Sequence, residues 1–208
     1  NKRKSLVLIL VLMLQLLVNI QSISIVEANF LFPPLEEITI KSDGSITPST
    51  VPIKQVGNIY YFTADITDHV INVQRDNIII DGAGYSLQKT RSAYGNQNGV
   101  SLTGRTKVTI RNLRICSLIN GVSISYSTNC NISKNIFLNN KYGIVLVDQS
   151  TSNYISGNNL TSGGIQIANS TGNTLRNNAM NGEGPHFSIA YENVESVAEF
   201  VNDVDASN

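Results

Sequence analysis

Tryptophan is absent from this chain of 208 residues, and aromatic residues make up only 7% of it. A core centred on a few large rings is therefore excluded, and apolar packing must come from many small aliphatic side chains. Cysteine is also scarce. Cys116 and Cys130 alone are present, so no disulfide framework holds the fold. Soft and imidazole donors are few and scattered: His69, His186, Cys116, Cys130, Met13 and Met180. A copper centre needs such donors clustered, so neither a metal nor another cofactor is expected. The formal charge is zero, which leaves no electrostatic footprint for nucleic acid. No stretch after residue 30 shows the 3.6-residue period of an amphipathic helix.

The first 28 residues read as a secretory signal peptide: a basic Lys2-Arg3-Lys4 start, an apolar run from Leu6 to Val18, and small-residue spacing at Val26-Glu27-Ala28. The alternative is an uncleaved anchor over Leu6 to Ile25, which would give membrane contact through this segment alone. Gln15, Asn19 and Gln21 inside that window favour cleavage. Three of the 15 basic and one of the 15 acidic residues lie in this leader, so the remainder carries a net charge near −2. In either case the rest of the chain is exported, secreted or held at the cell surface.

What the sequence does have is a repeat. Gly followed by two apolar residues one apart recurs as Gly99-Val100-Ser101-Leu102, Gly121-Val122-Ser123-Ile124, Gly143-Ile144-Val145-Leu146 and Gly164-Ile165-Gln166-Ile167, at steps of 22, 22 and 21 residues. A further step of 22 lands on Phe187 and Ile189, and Ile71 with Val73 forms an earlier pair. A second column, Ile80, Ile110, Ile132, Ile155 and Leu175, runs in phase. Five residues later a third reads Tyr85, Ile115, Phe137, Leu160 and Met180. Each unit thus holds two or three short alternating segments separated by Asn, Gly, Ser and Thr. Such a unit fits one coil of a parallel β-helix, an all-β solenoid in which side chains about 22 places apart lie over one another.

Asparagine marks the corners of that solenoid. There the chain leaves the β region, often through the left-handed conformation that Asn and Gly tolerate. Stacked at the inter-strand spacing, Asn side chains can also bond to one another and to the corner backbone. Asn135, Asn158 and Asn178 hold one place in three successive coils and are expected to form such a structural ladder.

The expected organisation is a signal peptide over 1–28, a capping segment over 29–66, β-helix repeats over 67–190, and the start of a C-terminal continuation over 191–208. The cap contains Pro33-Pro34, Pro48 and Pro52 with irregular apolar runs, and would shield the first coil's edge from strand addition. The chain stops at Asn208 without a closing signal, as a fragment would. Twenty residues separate Ile80 from Val100 where the next coils use 12, which reads as a lateral loop around "KTRSAYGNQN", 89–98.

The stretch "VQRDNIIIDGAGYSLQ", 73–88, resembles the opening coil of the NosD-like group of right-handed parallel β-helix proteins, whose repeats belong to the carbohydrate-binding and sugar-hydrolysis class. "GVSLTGRTKVTIRNLRI", 99–115, is similar to the next coil. The resemblance covers about residues 40 to 208. It implies an extracytoplasmic location and contact with polysaccharide or surface glycan; some members of the group are linked to copper.

Catalysis has weak support among the residues. A glycosidase needs two carboxylates about 5 to 10 Å apart, yet Asp148 is isolated and Asp65, Asp68, Asp76 and Asp81 gather near the cap. Asp81, before Gly82, reads as a turn residue. A lyase would pair a basic residue with an acidic calcium ladder; Arg111, Lys134 and Arg176 have none beside them. Sugar binding asks for less: exposed rings for stacking, with amides and hydroxyls for hydrogen bonds. Tyr94 in the lateral loop, Tyr126, Tyr142 and Tyr154 supply rings, and Asn98 and Asn120 hold the place that Tyr142 holds in its own coil. Asn131, Asn159 and Asn169 open N-x-Ser/Thr sequons and are candidate glycosylation sites. The expected function is a glycan-binding scaffold; the alternatives are a non-catalytic or degenerate part of a polysaccharide lyase or hydrolase, and a structural stalk.

Overall fold

The computed structural model of the protein describes residues 13–15, 33–93, 95, 97–181, 187–190 and 199–201, the last two segments by their backbone alone. The leader at 1–28, apart from residues 13–15, and most of the continuation after 190 lie outside these residues. Contacts divide the chain into two units, 1–34 with 92–95, and 35–91 with 96–208. All that follows concerns the second.

Three parallel sheets wind into a β-solenoid. Five regular coils carry one strand in each sheet. They begin with His69–Val73, Ile79–Asp81 and Ser86–Gln88 and continue through Asn98–Thr103, Thr109–Arg111 and Arg114–Cys116, then Asn120–Ser125, Asn131–Ser133 and Ile136–Leu138. Tyr142–Val147, Tyr154–Ser156 and Asn159–Leu160 form the fourth, and Ile165–Ala168, Thr174–Arg176 and Ala179–Met180 the fifth. An irregular coil precedes them, built of Glu36–Ile40, Ile59–Phe62 and Ile66–Thr67, each parallel to the regular strand above it. Two antiparallel strands, Ile46–Thr47 and Ile53–Val56, close the outer edges of the first and second sheets. Tyr60 joins the inward column beneath Ile80 and donates its hydroxyl to the Gly44 carbonyl at 2.9 Å.

The inward columns are continuous. Val100, Val122, Ile144 and Ile165 stack in register in the first sheet, and Ile80, Ile110, Ile132, Ile155 and Leu175 in the second. All are buried. Burial stabilises the fold by about 1.5–3 kcal/mol for each of these aliphatic side chains.

One column member differs from the expectation. Leu87, not Tyr85, stacks under Ile115. Later coils place the third-sheet residue five positions after the second-sheet one, but here the corner Asp81-Gly82-Ala83-Gly84 is two residues longer. Its backbone turns through positive φ at Ala83 (50°) and Gly84 (87°), with the Ala83 N–H donating to the Asp81 carboxylate at 2.9 Å. The extra length puts Tyr85 outside, 39% exposed.

The corners divide Asn into two adjacent roles. A first residue takes the left-handed conformation, as in Lys134, Ser152, Gly157, Asn139 and Asn177. The next points inward and bonds between coils. Asn135 Oδ1 accepts from the Leu113 N–H at 3.1 Å, Asn158 Oδ1 from the Asn135 N–H at 2.9 Å, and Asn178 Oδ1 from the Asn158 N–H at 3.1 Å. Their Nδ2 groups donate to the Ile110, Ile132 and Ile155 carbonyls. A second ladder joins Asn153 to Asn173, and a third runs through the hydroxyls of Ser127, Ser150 and Ser170. Corner backbone that would be buried unpaired is thereby satisfied.

The glycine column has a separate cause. A Cβ on Gly121 would stand 2.5 Å from the Gly143 carbonyl oxygen and 2.5 Å from Phe137 Cδ1. Backbone above cannot yield without shifting a coil, so Gly121→Ala is expected to cost about 1–3 kcal/mol as overpacking. Gly157→Ala meets nothing within 4 Å and carries only the left-handed strain at φ 60°, about 1–2 kcal/mol. Thermal melts of the two variants should rank them in that order.

Candidate functional site

Binding residues on a solenoid project from its outer faces, so the outward rows decide what can meet a ligand. Asn98, Asn120 and Tyr142 form one row at the start of the first sheet. Asn120 Nδ2 donates to Asn98 Oδ1 at 2.7 Å, and Lys141 Nζ lies 5.2 Å from the Tyr142 ring centre. Tyr126 sits at the opposite end of that sheet, 60% exposed, in the left-handed region at φ 50°. Tyr154 opens a second-sheet strand beside Asn131 and Thr174. The first three are thus together and the last two elsewhere; Tyr94 lies outside the described residues. Of the sequon residues, Asn159 and Asn169 are exposed, whereas Asn131 is half-buried with its Oδ1 enclosed.

Sequence reasoning missed the concave region, which lies on the third sheet. Its strands are only two or three residues long, so the corners on either side rise as walls. They enclose a cleft of about 640 Å3 floored by Ser86, Gln88, Arg114, Cys116 and Leu138 and walled by Gly84, Tyr85, Ser117 and Asn139. Tyr85 is positioned by its own backbone: its N–H donates to the Gly82 carbonyl at 2.8 Å and its carbonyl accepts from the Arg114 N–H at 3.0 Å. Asp65 reaches in from the irregular coil, accepting the Ser86 N–H at 2.8 Å. That backbone bond, then the Ser86 hydroxyl, holds the Asp65 carboxyl below the usual carboxylate range, so it is an ionised acceptor at neutral pH. Arg114 is exposed, and among the described residues no acidic group stands within ion-pair distance of it. The signal that could have found the cleft is the long corner before Tyr85.

Three of the acidic residues near the irregular coil are engaged by partners of their own. Asp68 receives the Thr90 N–H at 2.8 Å, Asp76 lies 3.3 Å from Arg105, and Asp81 lies 2.8 Å from Arg111. Burial raises the Asp81 carboxyl, but hydrogen bonds from Ala83, Asn112 and Arg111 outweigh it and leave the group lowered. Each carboxylate serves a different corner.

Metal donors are equally dispersed. Among the described residues no three His, Cys, Asp or Glu side chains come together as a metal site. Cys116 points into the third-sheet cleft and Cys130 into the core, both as free thiols. Burial pushes both thiols up, away from the thiolate a soft metal requires.

No curated protein matches the chain, and no solved structure does. A family model described as periplasmic copper-binding protein (NosD) matches residues 39–198, which contain the five regular coils, and the chain belongs to that family.

Proposed function

We propose that the protein is an exported scaffold that binds saccharide on the outside of its solenoid without cleaving it, and that the third-sheet cleft is the binding site. The periplasmic description of the family and the signal-like leader support export. One observation carries the binding reading: a single concavity holds an ionised acceptor at Asp65, a guanidinium at Arg114, amides at Gln88 and Asn139, and the partly exposed ring of Tyr85. Sugar hydroxyls both donate and accept, and sugar rings present apolar faces, so planar polar groups around an aromatic ring complement them. The row Asn98, Asn120 and Tyr142 is a secondary surface of the same chemistry on the first sheet.

The family's description speaks of copper. His186 lies outside the described residues; among those described, His69, Cys116, Cys130 and Met180 stand in different coils or face different ways, so these four do not fit a copper centre and no step is assigned to the metal. The hydrolase reading has less support, since Asp68, Asp76 and Asp81 are each held by a partner in their own corner.

Tyr85→Ala tests the site. The ring is outside the core, so circular dichroism and the melting temperature should stay close to those of the parent. Affinity for the best ligand on a polysaccharide array should fall about tenfold, equivalent to about 1.4 kcal/mol. Absence of binding to any polysaccharide by the full chain would remove the proposal.

A further inference from the structure

A second concavity, of about 340 Å3, adjoins the cleft at Asp65, which lines both. Its walls include Glu36, His69, Thr67 and the loop at Pro48 to Pro52. His69 is fixed there, with Nε2 3.2 Å from Glu36 Oε2 and Nδ1 2.6 Å from the Thr67 carbonyl. Thr67, Gln88, Cys116 and Leu138 occupy one outward row in four successive coils. The first belongs to the smaller concavity and the other three to the larger. Four coils at the inter-strand spacing span about 14 Å along the solenoid axis. In the perpendicular direction the strands offer only two or three residues.

Taken together along this row, the two concavities form a surface that extends further along the axis than across it. We propose that its ligand is a linear, uncharged oligosaccharide of three to four units lying parallel to the solenoid axis, one unit per coil. This rests on the saccharide reading above and adds length, direction and charge to it. A pyranose in an extended chain advances by nearly one inter-strand spacing, so successive units meet successive coils in equivalent positions. Glu36 and Asp65 line the groove against the one guanidinium of Arg114, a balance that disfavours a chain of uronic acids.

The thiol of Cys116 lies on the groove floor and Cys130 is buried, so alkylation of the full chain by iodoacetamide reports occupancy with an internal control. The probes are cello-, malto-, xylo- and manno-oligosaccharides of one to six units, with oligogalacturonides as the acidic counterpart, and calorimetry measures affinity in parallel. At least one neutral series should slow Cys116 alkylation, with affinity rising tenfold or more between one and four units and levelling beyond. Glu36→Ala should flatten the last step of that rise. Equal affinity for one and four units, or stronger binding of galacturonides, overturns the inference but leaves saccharide binding standing. Length-dependent binding without Cys116 protection overturns it by placing the ligand elsewhere. Binding by none of the series overturns the inference; failure on the wider polysaccharide array as well removes the saccharide reading with it.

Discussion

Ile132→Asp is expected to abolish the cooperative fold. Ile132 is fully buried, stacked between Ile110 above one side and Ile155 on the other, and the inward row around it is aliphatic. A carboxylate there would lose its hydration with no partner in the aliphatic row, a cost of several kcal/mol that comes on top of the lost apolar packing and is comparable to the 5–15 kcal/mol that holds a domain together. Protonation would lessen the penalty but still leave a polar group in an apolar row. A solenoid cannot spread such damage, because each coil touches only its neighbours; loss of the fourth strand in the second sheet separates the coils on either side. Ile132→Val, which removes one methylene, should cost only about 0.5–1.5 kcal/mol. Circular dichroism melts of both variants check this: a cooperative transition retained by the Asp variant would mean that the inward columns do not form the core.

The columns could be read from the sequence because burial imposes type at a fixed interval. Val122, Ile144 and Ile165 must be apolar wherever the coil length holds at 21 or 22 residues, and the structure stacks them in one row. The same rule misplaced Tyr85, since an interval is informative only while corner length is constant. Asp81-Gly82-Ala83-Gly84 adds two residues, and Leu87 then fills the core position. Three further inward polar residues escaped for a different reason. Asn140, Asn153 and Asn173 carry the same hydrogen-bonding pattern as Asn158, but their column holds Leu118 or Cys130 in earlier coils, so residue type alone does not mark it.

Outward residues are under no such constraint. Tyr126 and Tyr154 occur in corners and strands of different sheets, and their spacing carries no information about a shared face. The cleft depends on how far two corners rise beside strands of two or three residues. That is a property of backbone path, visible once Tyr85 and Asn139 are placed on its walls.

Removing the side chain of Asn158 should have the second largest effect. Its Oδ1 accepts from the Asn135 N–H at 2.9 Å and from Asn135 Nδ2 at 3.1 Å, while its Nδ2 donates to the Ile132 carbonyl at 2.8 Å and to Asn178 Oδ1 at 2.9 Å. Asn158→Ala strands a buried N–H and a buried carbonyl, at about 1–3 kcal/mol each, so a loss of about 3–5 kcal/mol is expected in denaturant melts. Asn178 is half-buried; water can replace part of what Asn178→Ala removes, and its cost should be nearer 1 kcal/mol. Asn158→Asp separates the donor from the acceptor role. One carboxyl oxygen would keep the two bonds from Asn135, but the other would face the Ile132 carbonyl and Asn178 Oδ1, both acceptors; with burial, these are expected to outweigh the Asn135 bonds and raise its pKa above the unfolded value of about 3.9. Only the protonated acid can donate to them. Stability of this variant should therefore be greatest in acid and fall as pH rises through the raised folded pKa. A variant equally stable at pH 4 and pH 8 would show that the ladder's donor side contributes nothing.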